Sequence, residues 1–105
     1  MSQFGFAAVE QGLRIERARA AVLAADTANA STPGFIAKDV VTSLSGDADA
    51  PFSARLHEIS AGGSAGTLEY AMAATAKNAV TYRALAGQER AMLREFKVVA
   101  EEAGR

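Results

Sequence analysis

The chain of 105 residues has no cysteine and no tryptophan, one histidine (His57) and two prolines. Without cysteine there is no disulfide framework, no thiolate zinc site and no thiol nucleophile. No stretch approaches the ~18 consecutive apolar residues of a membrane span. Neither charge sign is in excess: 11 basic against 12 acidic side chains leave a formal net charge of -1. A phosphate-backbone binder needs a basic face to displace counterions, so nucleic acid is not an expected partner. Aromatic residues make up only 7% of the chain although 50% is hydrophobic. Much of that hydrophobic half is alanine, which adds little area at roughly 25 cal/mol per Å². A self-contained core would be thin, and small domains without staples rely on assembly. The N-terminal segment lacks the basic region and apolar core of a cleaved signal peptide.

Proline and glycine divide what remains into three parts. Residues 1–31 are rich in helix formers and read as an N-terminal helix. Residues 32–66 hold both prolines, five of the nine glycines and most serines, and read as a turn followed by an irregular linker. Residues 67–105 read as a long C-terminal helix of roughly 36 residues, about 54 Å. The fold class expected is all-α, the two helices pairing as an antiparallel coiled coil around an irregular middle that carries at most short extended segments at Asp39–Thr42 and Arg55–Ile59. The run from Ala61 to Gly66 has the composition of a flexible linker.

The first helix carries two apolar stripes. Phe6, Val9, Leu13, Ala20, Leu23 and Ala24 share one side, and Phe4, Ile15, Ala18, Val22 and Ala25 lie nearly opposite. A helix at the surface of a globule shows one stripe, so two imply a helix held between partners. Val9, Leu13 and Leu23 are expected to face the second helix, and Ile15 and Val22 a neighbour. On the C-terminal helix Leu68, Tyr82, Leu85, Met92, Leu93, Phe96, Val99 and Ala100 form a broad stripe with heptad-like spacing. Of these, Leu85, Met92, Phe96 and Val99 are the expected main seam. A fainter strip of Ala73, Val80, Ala84, Ala91 and Val98 lies away from it. Between the helices, Thr32-Pro33-Gly34-Phe35 is a stop-and-turn signal: Pro33 presets the second turn position and Gly34 suits the positive φ of the third.

The segment Leu23-Ala24-Ala25-Asp26-Thr27-Ala28-Asn29-Ala30-Ser31-Thr32-Pro33-Gly34-Phe35 resembles the N-terminal signature of the bacterial flagellar axial proteins, the rod, hook and hook-associated family, L-A-A-N-I-A-N-A-x-T-P-G-[YF]. It departs at Asp26, where that family has asparagine, and at Thr27, where it has an apolar residue. Downstream, Asn78-Ala79-Val80-Thr81-Tyr82-Arg83-Ala84-Leu85 is similar to the N-A-x-x-Y-x-A-L run of the proximal rod proteins of the flagellar basal body (FlgB type), and Met92-Leu93-Arg94 to the methionine-leucine-basic run that closes them. The resemblance implies a structural subunit of the periplasmic rod, exported through the flagellar type III channel without a cleaved signal. Its implied partners are copies of itself, other rod proteins, the export apparatus and the membrane-ring proteins. The alternatives are another axial protein or divergent paralogue of the family, and a cytoplasmic helical adaptor or export chaperone.

No catalytic constellation, cofactor site or metal site is expected. His57 beside Glu58 is half of an acid–base pair at most. Gly62-Gly63-Ser64-Ala65-Gly66-Thr67 lacks the lysine of a phosphate loop. Asp47-Ala48-Asp49 lacks the remaining ligands of a calcium loop. Arg14, Arg17 and Arg19 are interleaved with Glu10 and Glu16, as on a solvated helix face.

Overall fold

The computed structural model describes residues 3–47 and 49–104, with side chains described from residue 5. Phe4, expected on the second stripe, and Ala48, expected in a polar turn, fall outside the described side chains. Four elements follow in order: α1 (Gln3–Ala28), β1 (Lys38–Leu44), β2 (Phe52–Glu58) and α2 (Gly63–Ala103).

Two long helices frame the molecule as expected, and they run antiparallel. Phe6 meets Phe96 edge-on at 5.3 Å between ring centroids. Val9 and Leu13 cluster with Met92, against which Tyr82 and Leu85 also pack. Further along α1, the Asn78 side chain donates to the Glu16 carbonyl at 3.1 Å. Residue numbers rise on one helix as they fall on the other. The fully buried Leu23 and Ala71 continue the pattern one heptad beyond Glu16 and Asn78. Small residues let the helices come close: a methyl group on Gly12 would stand 3.2 Å from Leu85 Cδ1.

The short extended segments expected in the middle are two strands that pair, so the chain is mostly helical with a small sheet rather than all-α with an irregular linker. The two seven-residue strands pair antiparallel in one unbroken register from Lys38↔Glu58 to Leu44↔Phe52. From the sequence only short extended segments are expected here. An isolated two-stranded hairpin is marginal in water. Here α1 supplies the missing support. Gln11 grips the backbone of Phe52 in both directions, accepting from its N–H at 2.8 Å and donating to its carbonyl at 2.7 Å. Asp26, 1% exposed, accepts from the Lys38 N–H at 3.0 Å. Gln11, Ile15, Arg19, Val22 and Asp26 recur at helical spacing, so the hairpin is pinned along one side of α1.

The helix boundary after the hairpin also differs. α2 starts at Gly63 rather than Thr67, and it is 41 residues long. The expected linker is therefore mostly the first turn of a helix, entered through Gly62 and Gly63, both at positive φ (79° and 84°). Because α2 is longer than α1 (26 residues), its last turns outrun the pairing. The result is an elongated body of 64 × 25 × 14 Å.

Candidate assembly interface

Three regions carry the residues singled out in the sequence. At the end of α1, the signature segment builds a compact stop. The Asn29 side-chain amide donates to the Ala25 carbonyl at 2.9 Å, and its backbone N–H bonds the same oxygen. This satisfies a carbonyl that the helix end would leave open. Thr32 Oγ1 donates to Asn29 Oδ1 at 3.2 Å. The Phe35 N–H closes a turn onto the Thr32 carbonyl at 3.1 Å, with Pro33 second and Gly34 third at φ 77°. Those features are the ones a type II turn requires. Lys38 Nζ lies 5.6 Å from the Phe35 ring centroid. Asn29, Thr32, Pro33, Gly34 and Phe35 thus act together to reverse the chain into β1.

The second region is the seam between the helices. Val9, Leu13, Leu23 and Met92 are buried in it, and Tyr82 and Leu85 are half-buried at its margin. Phe96 holds Phe6 but is 39% exposed. Val99 does not belong to the seam interior: it is 65% exposed, because α2 has by then passed the described end of α1. Ile15 and Val22, expected to face a neighbour, are half-buried. Ile15 lines a groove of about 420 Å³ together with Thr42 and Phe52 of the chain's own hairpin and Leu85 and Met92 of α2. The hairpin therefore shares the side of α1 on which a neighbour was expected.

A polar network on that side escaped the sequence reading. Arg19 forks onto Glu16 with Nη1 at 3.1 and 3.2 Å from the two carboxylate oxygens. Its Nη2 donates to the Val40 carbonyl at 2.6 Å, and its Nε lies 3.4 Å from Asp39 Oδ1. That last contact is an ion pair without hydrogen-bond geometry, since Nε has no hydrogen-bond partner. Tyr70 of α2 donates its hydroxyl to Asp39 Oδ2 at 2.5 Å. One cluster thus ties α1, β1 and α2 together. Asp26 and Asn78 each satisfy one side-chain atom and leave an oxygen, Oδ2 and Oδ1, without a hydrogen-bond partner. In a seam, a buried amide that bonds across fixes register more than it adds stability. The only signals available beforehand were polar residues (Gln11, Arg19, Asp26) among the apolar positions of α1. Their partners lie 12 to 41 residues away in the chain.

The Tyr70–Asp39 bond has a pH signature. That bond is the largest reason why the phenol is held well above its usual value of 10.0, at about 12, with burial and the Asp39 charge adding to it. A raised value means the contribution is present below the unfolded pKa near 10 and is lost as pH rises through about 12. Between those limits the stability of the chain should fall by a share that Tyr70→Phe does not lose. Denaturant midpoints of the two proteins, compared across that pH range, measure it. The tyrosinate absorbance of a Tyr82→Phe background should place the Tyr70 midpoint near 12.

The third region is an apolar surface with nothing over it among the described residues. On α2, Met72 and Val80 are 63% and 64% exposed, Val98 57% and Leu93 47%. Ala73, Ala84 and Ala91, the fainter strip, are exposed with Val80 and Val98, so a second helical stripe faces outward for most of the length of α2. Leu44 and Leu56 of the hairpin are exposed as well, at 82% and 59%. Glu89 is half-buried and forms no ion pair among the described residues. Arg14 and Arg17 of α1 and His57 and Glu58 of β2 are exposed. No protein-family model, curated protein or solved structure matches this chain.

Proposed function

We propose that this protein is a structural subunit of the flagellar basal-body rod, a proximal rod protein that assembles through its terminal helices. The observation that carries the reading is the segment Leu23–Phe35, whose residues match the axial-protein signature and act as a unit. Asn29, Thr32 and Phe35 are joined to one another or to the last turn of α1 by hydrogen bonds, around a Pro33-Gly34 corner. Asn29, Thr32, Pro33, Gly34 and Phe35, all of them matching positions, take part in ending α1 and turning the chain.

Two further features support it. The helices pair with buried residues at heptad spacing, Ala71, Asn78 and Met92 on α2 facing Val9, Glu16 and Leu23 on α1, as in an antiparallel coiled coil. A second apolar stripe on α2 remains open for a neighbour. Contacts that join different faces of identical subunits, and do not close, build helical filaments.

The test is retention in purified basal bodies. Val98→Asp changes a side chain that is 57% exposed, so the isolated subunit should keep its circular dichroism and its unfolding midpoint within about 0.5 kcal/mol. The same change should eliminate incorporation into the rod, because a charge would be buried in an apolar contact. Wild-type levels of the variant in basal bodies would remove the stripe from the assembly.

A further inference from the structure

The hairpin is fastened to the helices unevenly. At its inner end Asp26 accepts from the Lys38 N–H, and Arg19 donates to the Val40 carbonyl. Arg19 also pairs with the Asp39 carboxylate, to which Tyr70 of α2 donates its hydroxyl. Val40, the only buried residue of either strand, lies there too. The outer end has one polar fastening among the described residues. The Gln11 side chain accepts from the Phe52 N–H and donates to the Phe52 carbonyl. From Val41 to Leu44 and from Ser53 to Arg55 the strands are exposed.

Between that outer end and the helices lies the groove of about 420 Å³, lined by Gly12 and Ile15 of α1, Leu85 and Met92 of α2, and Thr42 and Phe52 of the hairpin. Protein interiors pack as densely as organic crystals. Across a gap of this size, the outer strands and the helices forgo much of their dispersion contact with each other. What holds the outer end down is chiefly a pair of hydrogen bonds from one side chain, made and lost together. Neutral bonds that re-form with water on opening add only modestly to net stability. Fixing the rotamers of a glutamine offsets part of even that.

We propose that the outer half of the hairpin is a flap over this groove, hinged at Asp39–Val40 and shut by a single clasp, the Gln11 side chain on Phe52. The ladder travels with the flap. Ser45 N–H bonds the Pro51 carbonyl and Ile59 N–H bonds the Ala37 carbonyl, so in the observed register the odd-numbered residues bond across the ladder. Ser43 and Ser53 are therefore tied to each other, whereas Phe52 turns its N–H and C=O away from β1 and onto α1. Lifting the flap breaks the bonds of Phe52 to Gln11 and keeps those of the ladder. It is a sub-global opening, lower in free energy than unfolding of the seam. The closed form hides the Ile15 side of α1, the open form presents it, and Gln11 sets the balance between them. The proposal rests on the hairpin's own contacts and does not depend on the rod assignment.

Amide hydrogen exchange on the full chain, labelled with ¹⁵N, reads the flap directly. The Phe52 N–H should be at least tenfold less protected than the Lys38 N–H, while Ser43 and Ser53 stay better protected than Phe52. Low urea should accelerate Asn78 and Met92, in the seam, more steeply than Phe52, because the flap exposes little surface. A second reading uses the absence of cysteine from the chain. Ile15→Cys then carries the only thiol, and Gln11→Met removes the clasp while keeping most of its bulk. A bulky maleimide should label the thiol at least tenfold faster with Gln11→Met than without it, and the exchange of Asn78 and Met92 should not change. The proposal is overturned by a single protection and urea dependence shared by Phe52, Lys38 and Asn78, or by loss of protection at Ser43 and Ser53 together with Phe52. Labelling that is indifferent to Gln11→Met, or that quickens only in step with exchange in the seam, overturns it as well.

Discussion

Leu23→Ala is expected to unfold a large share of the isolated chain. Removing a fully buried leucine costs about 2–5 kcal/mol, the upper part of that range applying where the surroundings do not close over the gap. A domain has only about 5–15 kcal/mol in total, and this one lies at the thin end. Leu23 is completely buried, and Ala37 and Ala71, buried at that end of the molecule, are small. The backbones are also held apart by fixed contacts, Glu16 with Asn78 on one side and Asp26 with Lys38 on the other. Leu13→Ala, next to the adaptable Met92, should cost less for that reason. Leu93→Ala, at 47% exposure, should cost less still. Urea unfolding followed by circular dichroism ranks the three, with an unchanged slope showing that the loss is in the folded state.

That ranking depends on what makes α1 different from an ordinary surface helix, and here the sequence was partly legible. The double stripe was visible because apolar side chains at helical spacing can be counted. The stop at Asn29–Phe35 was visible because proline and glycine at adjacent turn positions leave few conformations. Which partner would cover each stripe was not visible. Ile15 and Val22 read as meeting another subunit, yet Ile15 lines a groove shared with Thr42 and Phe52 of the same chain. The hairpin could be foreseen only as two short extended pieces. Its anchors are single polar residues, Gln11, Arg19 and Asp26, whose partners are backbone groups 12 to 41 positions distant. A side chain that recognises a backbone N–H or C=O leaves no mark on the partner's identity. Pairing of that kind is silent in one sequence. Asp26 illustrates the point: as a departure from the axial signature it marked a difference, and only the fold shows its carboxylate holding the first residue of β1.

The same distinction governs Gly66→Ala, where the composition and the structure give opposite signs. Ala61–Gly66 reads as a flexible linker. In a linker, glycine to alanine narrows the unfolded ensemble and stabilises by about 0.4–1 kcal/mol. In the fold the segment is a tight entry into α2. Gly62 and Gly63 both take left-handed backbone angles, and they turn the Ala61 carbonyl back over the first helical turn. A β-carbon on Gly66 would lie 1.5 Å from that oxygen and 2.6 Å from its carbon, both backbone atoms that no rotamer change relieves. The first two glycines provide the angles and the third provides the room. Alanine at 66 must therefore push Ala61 outward and loosen the turn up to Thr67, which is 9% exposed and the first buried residue of α2. The expected cost is roughly 1–3 kcal/mol, as for overpacking elsewhere. It should be confined to that end of α2: amides of Ala65 to Leu68 lose hydrogen-exchange protection while those around Asn78 and Met92, in the seam, keep theirs. A gain in stability would mean that the chain between β2 and α2 is free of this contact, and that the helix starts near Thr67 as its composition alone implies.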